Sequence, residues 1–163
     1  DLRIGDMRTA RLGRSFDVIE CFGWAFNYAL TNADVEAVVD TFREHAHIGT
    51  VLAFDCGGAD WYLAQKGGIP DTTMDVAVLG FKARAVSRFE LDRSNLLMTR
   101  RRTWHIEGGK KAEDFTRYRL HDMKELRRLL EIRGFKVVEM GLDPTGQQQA
   151  PGERTLYIVA TLV

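Results

Sequence analysis

Apolar positions recur along this chain with two periods, one of about two residues and one of three to four, and each predicts its own kind of element. Leu2 and Ile4 alternate with polar neighbours and stop at Gly5-Asp6, which predicts a short strand and its exit turn. A turn over residues 13–15 leads into Phe16-Asp17-Val18-Ile19-Glu20-Cys21-Phe22, a second strand apolar enough to be largely buried. Residues 23–30 follow as an aromatic-rich loop with Trp24, Phe26 and Tyr28. Thr31, with Asp34 three residues on, approximates a capping box, and Val35, Val38, Val39 and Phe42 then recur at helical spacing. That helix is expected to end near His47, before Gly49. Residues 50–55 predict a third apolar strand, and Cys56-Gly57-Gly58 a loop after it.

No periodicity decides residues 60–70. Between Val76 and Arg119 the pattern becomes strand, short turn, strand, over 76–78, 83–91, 96–106 and 113–120. The turns at 92–95 and 107–110 are too short for a crossover helix, so an antiparallel insert is expected over about 76–120. Asp122 caps a second helix with Glu125 at its third position, Leu126, Leu129 and Leu130 on its buried stripe, and Gly134 after its end. Residues 135–140 and 155–163 predict the last two strands. The polar loop over 143–152 between them holds no helix, so they should pair antiparallel.

Composition narrows the classes without deciding among them. The 163 residues suit one domain, and 45% apolar with 28% charged is ordinary for a soluble globular chain. Lys+Arg and Asp+Glu are both 23, so there is no basic excess with which to hold nucleic acid or an anionic membrane. Arg100-Arg101-Arg102 is expected at a solvated strand end. Cys21 and Cys56 lack metal-ligand spacing and the four histidines form no zinc pattern, so no metal is expected; the thiols read as reduced, in a cytoplasmic protein. No uncharged apolar run approaches the roughly 20 residues that span a bilayer. The start, Asp1-Leu2-Arg3-Ile4-Gly5-Asp6, has neither signal-peptide pattern nor initiator Met and reads as a strand already under way.

The predicted order is strand, strand, helix, strand, antiparallel insert, helix, strand, strand, which describes a mixed open α/β sheet, mostly parallel with one antiparallel strand at its end. Ligands of such sheets bind beyond the carboxyl ends of the parallel strands, which places Asp6-Met7, residues 21–28 and residues 55–58 on one rim.

Those rim segments carry a family resemblance. Gly5-Asp6-Met7-Arg8 and residues 16–22 resemble the third and fourth strands of class I S-adenosylmethionine-dependent methyltransferases, and residues 21–30 resemble the segment that follows in small-molecule and sugar-amine members. Residues 45–55 resemble the next helix, turn and strand, with His47-Ile48-Gly49-Thr50 where the family has a Pro-Gly-Gly turn. Residues 102–110 resemble the antiparallel insert, 119–130 the last helix and 134–139 the strand after it. The resemblance implies a Rossmann-like sheet with S-adenosylmethionine as cofactor. The family's first two strands, with the glycine-rich turn that cradles the cofactor's methionine part, find no match; Gly57-Gly58 and Gly67-Gly68 follow later strands and do not replace them. The expectation is a single, partial methyltransferase domain over 1–163 whose N-terminal strands are missing.

The resemblance assigns cofactor contacts to Asp6, Met7, Cys21 and Phe22. A turn-forming role explains Asp6, and simple packing the other three, about as well. Trp24 and Tyr28 are expected on the acceptor side, where an aromatic wall excludes water and orients the acceptor, whereas Phe26 is expected to cover the sheet. Methyl transfer needs placement, plus a base when the acceptor is a hydroxyl. His105, His121, His45 and Asp55 compete for that role. His45 is expected on a helix surface, His121 as a cap or surface residue, and His105 on the insert; Asp55, ending a parallel strand, is better placed, and no choice follows. Asp55 and His105 join the acceptor-side set, and Arg117 and Tyr118 can reach an acidic acceptor. The partner expected is a small-molecule acceptor bearing an amine or hydroxyl, with the insert shaping the acceptor side or a homodimer interface. Two rival functions stand beside this one: a non-catalytic partial domain completed by a partner chain, and another Rossmann-type nucleotide enzyme such as a dehydrogenase.

Overall fold

Two four-stranded sheets divide the chain between them. A computed structural model describes residues 2–141 and 155–163; the predicted polar loop over 143–152 lies outside these. The first sheet has the order β1 (Phe16–Cys21), β2 (Ala46–Gly57), β8 (Thr155–Leu162), β7 (Phe135–Gly141). β1 and β2 are parallel, while β8 is antiparallel to both β2 and β7. β1, β2 and β7 thus run the same way and β8, last in sequence, runs against them, but β8 lies inside the sheet rather than at the expected end. β8 lies inside because it is laddered on both sides, to β2 and to β7, and its Leu156, Ile158, Ala160 and Leu162, at most 2% exposed, face the core on every second residue.

Two local expectations also fail. Leu2 and Ile4 form no strand and are fully exposed, since a strand exists only as one side of a hydrogen-bonded ladder and none is offered to them. Cys56 and Gly57 are strand, not loop, because β8 extends the ladder through Cys56↔Leu156 and Gly57↔Thr155. Among the described residues β1 is an edge strand. Val18 (53%), Phe22 (49%) and Val51 (38%) stay exposed near it.

The main core lies on the other face, under α1 (Asn32–Glu44) and α3 (Met123–Ile132). α1 begins at the predicted capping box: Thr31 Oγ1 accepts the Asp34 N–H at 3.1 Å, and Asp34 accepts the Thr31 N–H at 3.1 Å. Val35, Val38, Val39 and Phe42 then face Leu52, Phe54 and Ile158, with Phe26 and Phe54 rings 4.8 Å apart. α1 ends at Glu44, earlier than expected, and β2 starts at Ala46 with an irregularity that sets residues 47–50 against Asp17. Asp122 caps α3 by accepting the Lys124 and Glu125 N–H groups. Arg133 past its end bonds Asp40 and Glu36 of α1, fastening the two helices together.

The second sheet is the predicted meander: β3 (Thr72–Val78), β4 (Phe81–Asp92), β5 (Leu97–Ile106) and β6 (Lys110–Arg119), all antiparallel. A short helix, α2 (Ala59–Ala64), fills part of the stretch that the sequence left open. Ala59, Tyr62, Met98, Tyr118 and Leu120 make a second small core, against which Trp24 packs from the first sheet's rim. Gly58 pairs with His121 where the chain enters and leaves this sheet, so the two units meet at the carboxyl end of β2.

Candidate functional site

The carboxyl ends of β1 and β2 open side by side, with Cys21 opposite Phe54 and Asp55 one residue further. Here Gly23 and Trp24 both adopt left-handed backbone conformations, φ 75° and 61°, which turns the chain into a 3-10 turn over Ala25–Tyr28. Glycine takes this region freely; for a residue as bulky as tryptophan it costs roughly 1–3 kcal/mol. Trp24 is held there by its surroundings. Its N–H donates to Asp55 Oδ1 at 2.8 Å, its indole Nε1–H donates to Thr155 Oγ1 at 3.1 Å, and its ring meets Tyr118 edge-on at 5.6 Å. Gly57 makes room beneath it: a Cβ there would lie 3.2 Å from the indole.

Beside this ring is a cavity of about 210 Å³ lined by Gly23, Trp24, Tyr28, Arg100, Thr116 and Tyr118. Trp24 and Tyr28 thus line one cavity with residues of the second sheet. Arg100 supplies the only charge in the lining, and its Nη2 lies 3.5 Å from Thr116 Oγ1. Arg100 and Thr116 escaped sequence reasoning because Arg100-Arg101-Arg102 resembles a solvated end; it is mid-strand, and alternation from the buried Met98 turns Arg100 and Arg102 inward while Arg101 stays exposed. That alternation was the available signal. Tyr118 lines the cavity and is 6% exposed, whereas Arg117 faces solvent.

Asn27, fully buried, locks the loop in place. Its Oδ1 accepts the Gly57 N–H at 3.0 Å and its Nδ2 donates to the Arg119 carbonyl, tying the turn to both sheets. Asp55 is 8% exposed and spends Oδ1 on Trp24.

The expected cofactor residues do not share one cavity. Asp6 is exposed and clasped by Arg8, whose guanidinium and N–H hold its carboxyl at about 2; Arg8 also bonds Asp34 at 2.7 Å. Met7 and Cys21 pack against the main core. Burial, helped by Asp55, pushes the Cys21 thiol up to about 11. Phe22 lies on the sheet's opposite face, lining a cavity of about 110 Å³ with Ala53, Glu139 and Tyr157.

Two of the histidines, His45 and His121, depart from expectation, while His105 lies on the insert. His105 is exposed near the far end of β5, beside Arg101, Thr103 and Glu113 on the second sheet, and does not line the Trp24–Tyr28 cavity. His45 is buried rather than on a surface. Its Nε2 accepts the Leu12 N–H at 2.8 Å and its Nδ1–H donates to the Thr41 carbonyl at 2.8 Å, a structural role at the end of α1. His121, expected as a cap or surface group, is 5% exposed against Phe26, and burial holds its pKa down at about 3. Asp122 does the capping instead.

No protein-family model and no curated protein matches the chain. Solved structures do. An S-adenosylmethionine-dependent methyltransferase from Clostridium acetobutylicum ATCC 824 superposes with TM-score 0.75 at 15% identity, over 98% of this chain and 63% of its own. CalS10, an amino pentose methyltransferase from Micromonospora echinaspora, gives 0.72 at 21%, over 96% of this chain and 63% of its own. The sugar N-methyltransferase KedS8 from Streptoalloteichus sp ATCC 53650 gives 0.73 at 19%, over 97% and 60%. This chain therefore spans less than two thirds of their length, and what it shares with them is the fold.

Proposed function

We propose that this chain is a partial S-adenosylmethionine-dependent methyltransferase domain, supplying the acceptor side of an enzyme that methylates an amine or hydroxyl of a small molecule, such as a sugar. The observation that carries the reading is the cavity between Trp24 and Tyr28 on one side and Arg100, Thr116 and Tyr118 on the other, opening on the rim where such sheets bind ligands. Neighbours of the same fold include an amino pentose methyltransferase and a sugar N-methyltransferase.

When bound, the cofactor supplies a methyl group on a sulfonium. An acceptor amine or hydroxyl would take that methyl group in exchange for its proton, which would pass to solvent. This in-line displacement asks chiefly for placement. Trp24 and Tyr28 offer flat walls for it. The ionised Asp6 suits an adenine amine, and Met7 and Cys21, both packed against the main core, suit the edge of its ring, with Arg8 the group that must yield a carboxylate lone pair. Asp55 and His105 complete the acceptor-side candidates, His105 only for an acceptor long enough to follow β5. The second sheet is the surface for a homodimer. Two free cysteines are in keeping with a cytoplasmic protein, and no helix among the described residues is long and apolar enough to cross a membrane. Neither nucleic acid nor membrane is the partner.

Calorimetric titration with S-adenosylhomocysteine, of this chain and of the gene product extended upstream to its own start codon, tests the proposal. Binding by the extended protein supports it; silence from both overturns it. A second reading, a non-catalytic domain completed by a separate chain, is favoured by the open edge of β1 and the exposed Val18, Val51 and Phe22 beside it. It predicts that binding appears only on mixing with that chain.

A further inference from the structure

Trp24 is restrained from four directions, and each restraint fixes a different freedom. Asp55 on β2 fixes its backbone through the 2.8 Å bond to the N–H. Thr155, the first residue of β8, fixes the rotation of the ring through the indole N–H at 3.1 Å. Gly57 sets how deep the ring can sit, and Tyr118 on β6 abuts it edge-on. A bulky residue at φ 61° persists only where its surroundings over-determine it, and such conformations gather where a side chain must be aimed. Packing alone would not need the two polar anchors. Asp55, at 8% exposure, gives its Oδ1 to the Trp24 N–H.

We propose that Asp55 and Thr155 are positioning residues that act on the acceptor only through Trp24, Asp55 by holding the left-handed turn and Thr155 by setting the plane of the indole wall. This rests on reading the Trp24–Tyr28 cavity as the acceptor pocket, and it separates Asp55 from the role of general base. The two roles diverge on conservative replacement. Asparagine keeps an oxygen at Oδ1 to accept the Trp24 N–H but cannot take up a proton at neutral pH; alanine does neither.

The test uses this chain, nitrogen-15 labelled, with D-glucosamine as the probe amine. In Thr155→Val the Trp24 indole N–H resonance should move upfield as its acceptor is lost, and Thr155→Ser should restore it. Asp55→Asn should leave that resonance in place and hold glucosamine affinity within about threefold, whereas Asp55→Ala and Thr155→Val should weaken it by about tenfold or more, roughly 1.4 kcal/mol. An unmoved indole signal in both Thr155→Val and Asp55→Ala overturns the proposal. So does a loss in Asp55→Asn equal to that in Asp55→Ala with the indole signal unchanged, since Asp55 would then act on the ligand by its charge. If the unaltered chain binds no glucosamine while the indole signals behave as expected, the positioning of Trp24 stands and the acceptor reading fails on its own.

Discussion

Asn27 offers the sharpest test of how the rim is assembled. Its side chain is fully buried and makes both of its bonds to main chain, accepting from the Gly57 N–H at 3.0 Å and donating to the Arg119 carbonyl. Asn27→Ala leaves that N–H and that carbonyl inside the protein without partners. An unmet buried group costs about 1–3 kcal/mol, so the pair should cost about 2–6 kcal/mol. With a mid-range cost of about 4 kcal/mol and a urea m-value of about 2 kcal/mol/M, the unfolding midpoint should fall by about 2 M. Asn27→Asp gives a finer reading. The new carboxyl can still accept from Gly57, but it can donate to Arg119 only when protonated, so its folded pKa should be raised above the unfolded value of about 3.9. A raised pKa means stability that is full below the unfolded value and is lost as pH rises through the folded one. Relative to the unaltered chain, the midpoint of Asn27→Asp should therefore fall between acid and neutral pH. A cost under about 1 kcal/mol for Asn27→Ala, or parallel pH curves for Asn27→Asp and the parent, would refute the clamp.

Three further outcomes are expected. His121, held at about 3 by burial against roughly 6.5 when unfolded, makes the unfolded chain the better proton binder between those values, so stability should fall as pH drops below about 6.5; His121→Phe should flatten that slope in urea midpoints taken at several pH values. Burial raises both cysteines, Cys21 to about 11, so neither should be alkylated by iodoacetamide at pH 8 until the chain unfolds, as mass spectrometry will show. Thr31→Ala removes one half of the capping box on α1 and should cost about 1 kcal/mol in thermal or chemical unfolding.

What the sequence made legible was local. Thr31 with Asp34 and Asp122 with Glu125 announce their helices because each cap is closed within a single turn. The meander was readable because its turns are short. Leu2–Ile4 misled because alternation gives a strand its faces but cannot give it a partner. The place of β8 was hidden for the same reason: a strand's neighbours are chosen by the whole sheet. His45 and His121 looked like surface groups because histidine is polar by type, yet His45 is satisfied by Leu12 and Thr41, and His121 is enclosed by contacts remote in sequence, such as Phe26. Half of the cavity lining, Arg100, Thr116 and Tyr118, comes from strands far along the chain from Trp24, and only the folded topology brings them together.

The pairing of Gly58 with His121 reaches beyond geometry. Ala59 N–H bonds the His121 carbonyl at 2.9 Å, and His121 N–H bonds the Gly57 carbonyl at 2.9 Å, so everything from residue 59 to 120 leaves and rejoins its host through two backbone points one strand spacing apart, about 4.8 Å. To the host sheet, that whole stretch is a single closed loop whose length scarcely matters to its entropy. Such a socket lets one cap be exchanged for another, longer or shorter, provided that the contacts of Asn27 with the Arg119 carbonyl and of Trp24 with Tyr118 are kept or replaced. Lineages sharing this socket would then diverge fastest in the inserted segment, while the rim beneath stays the same.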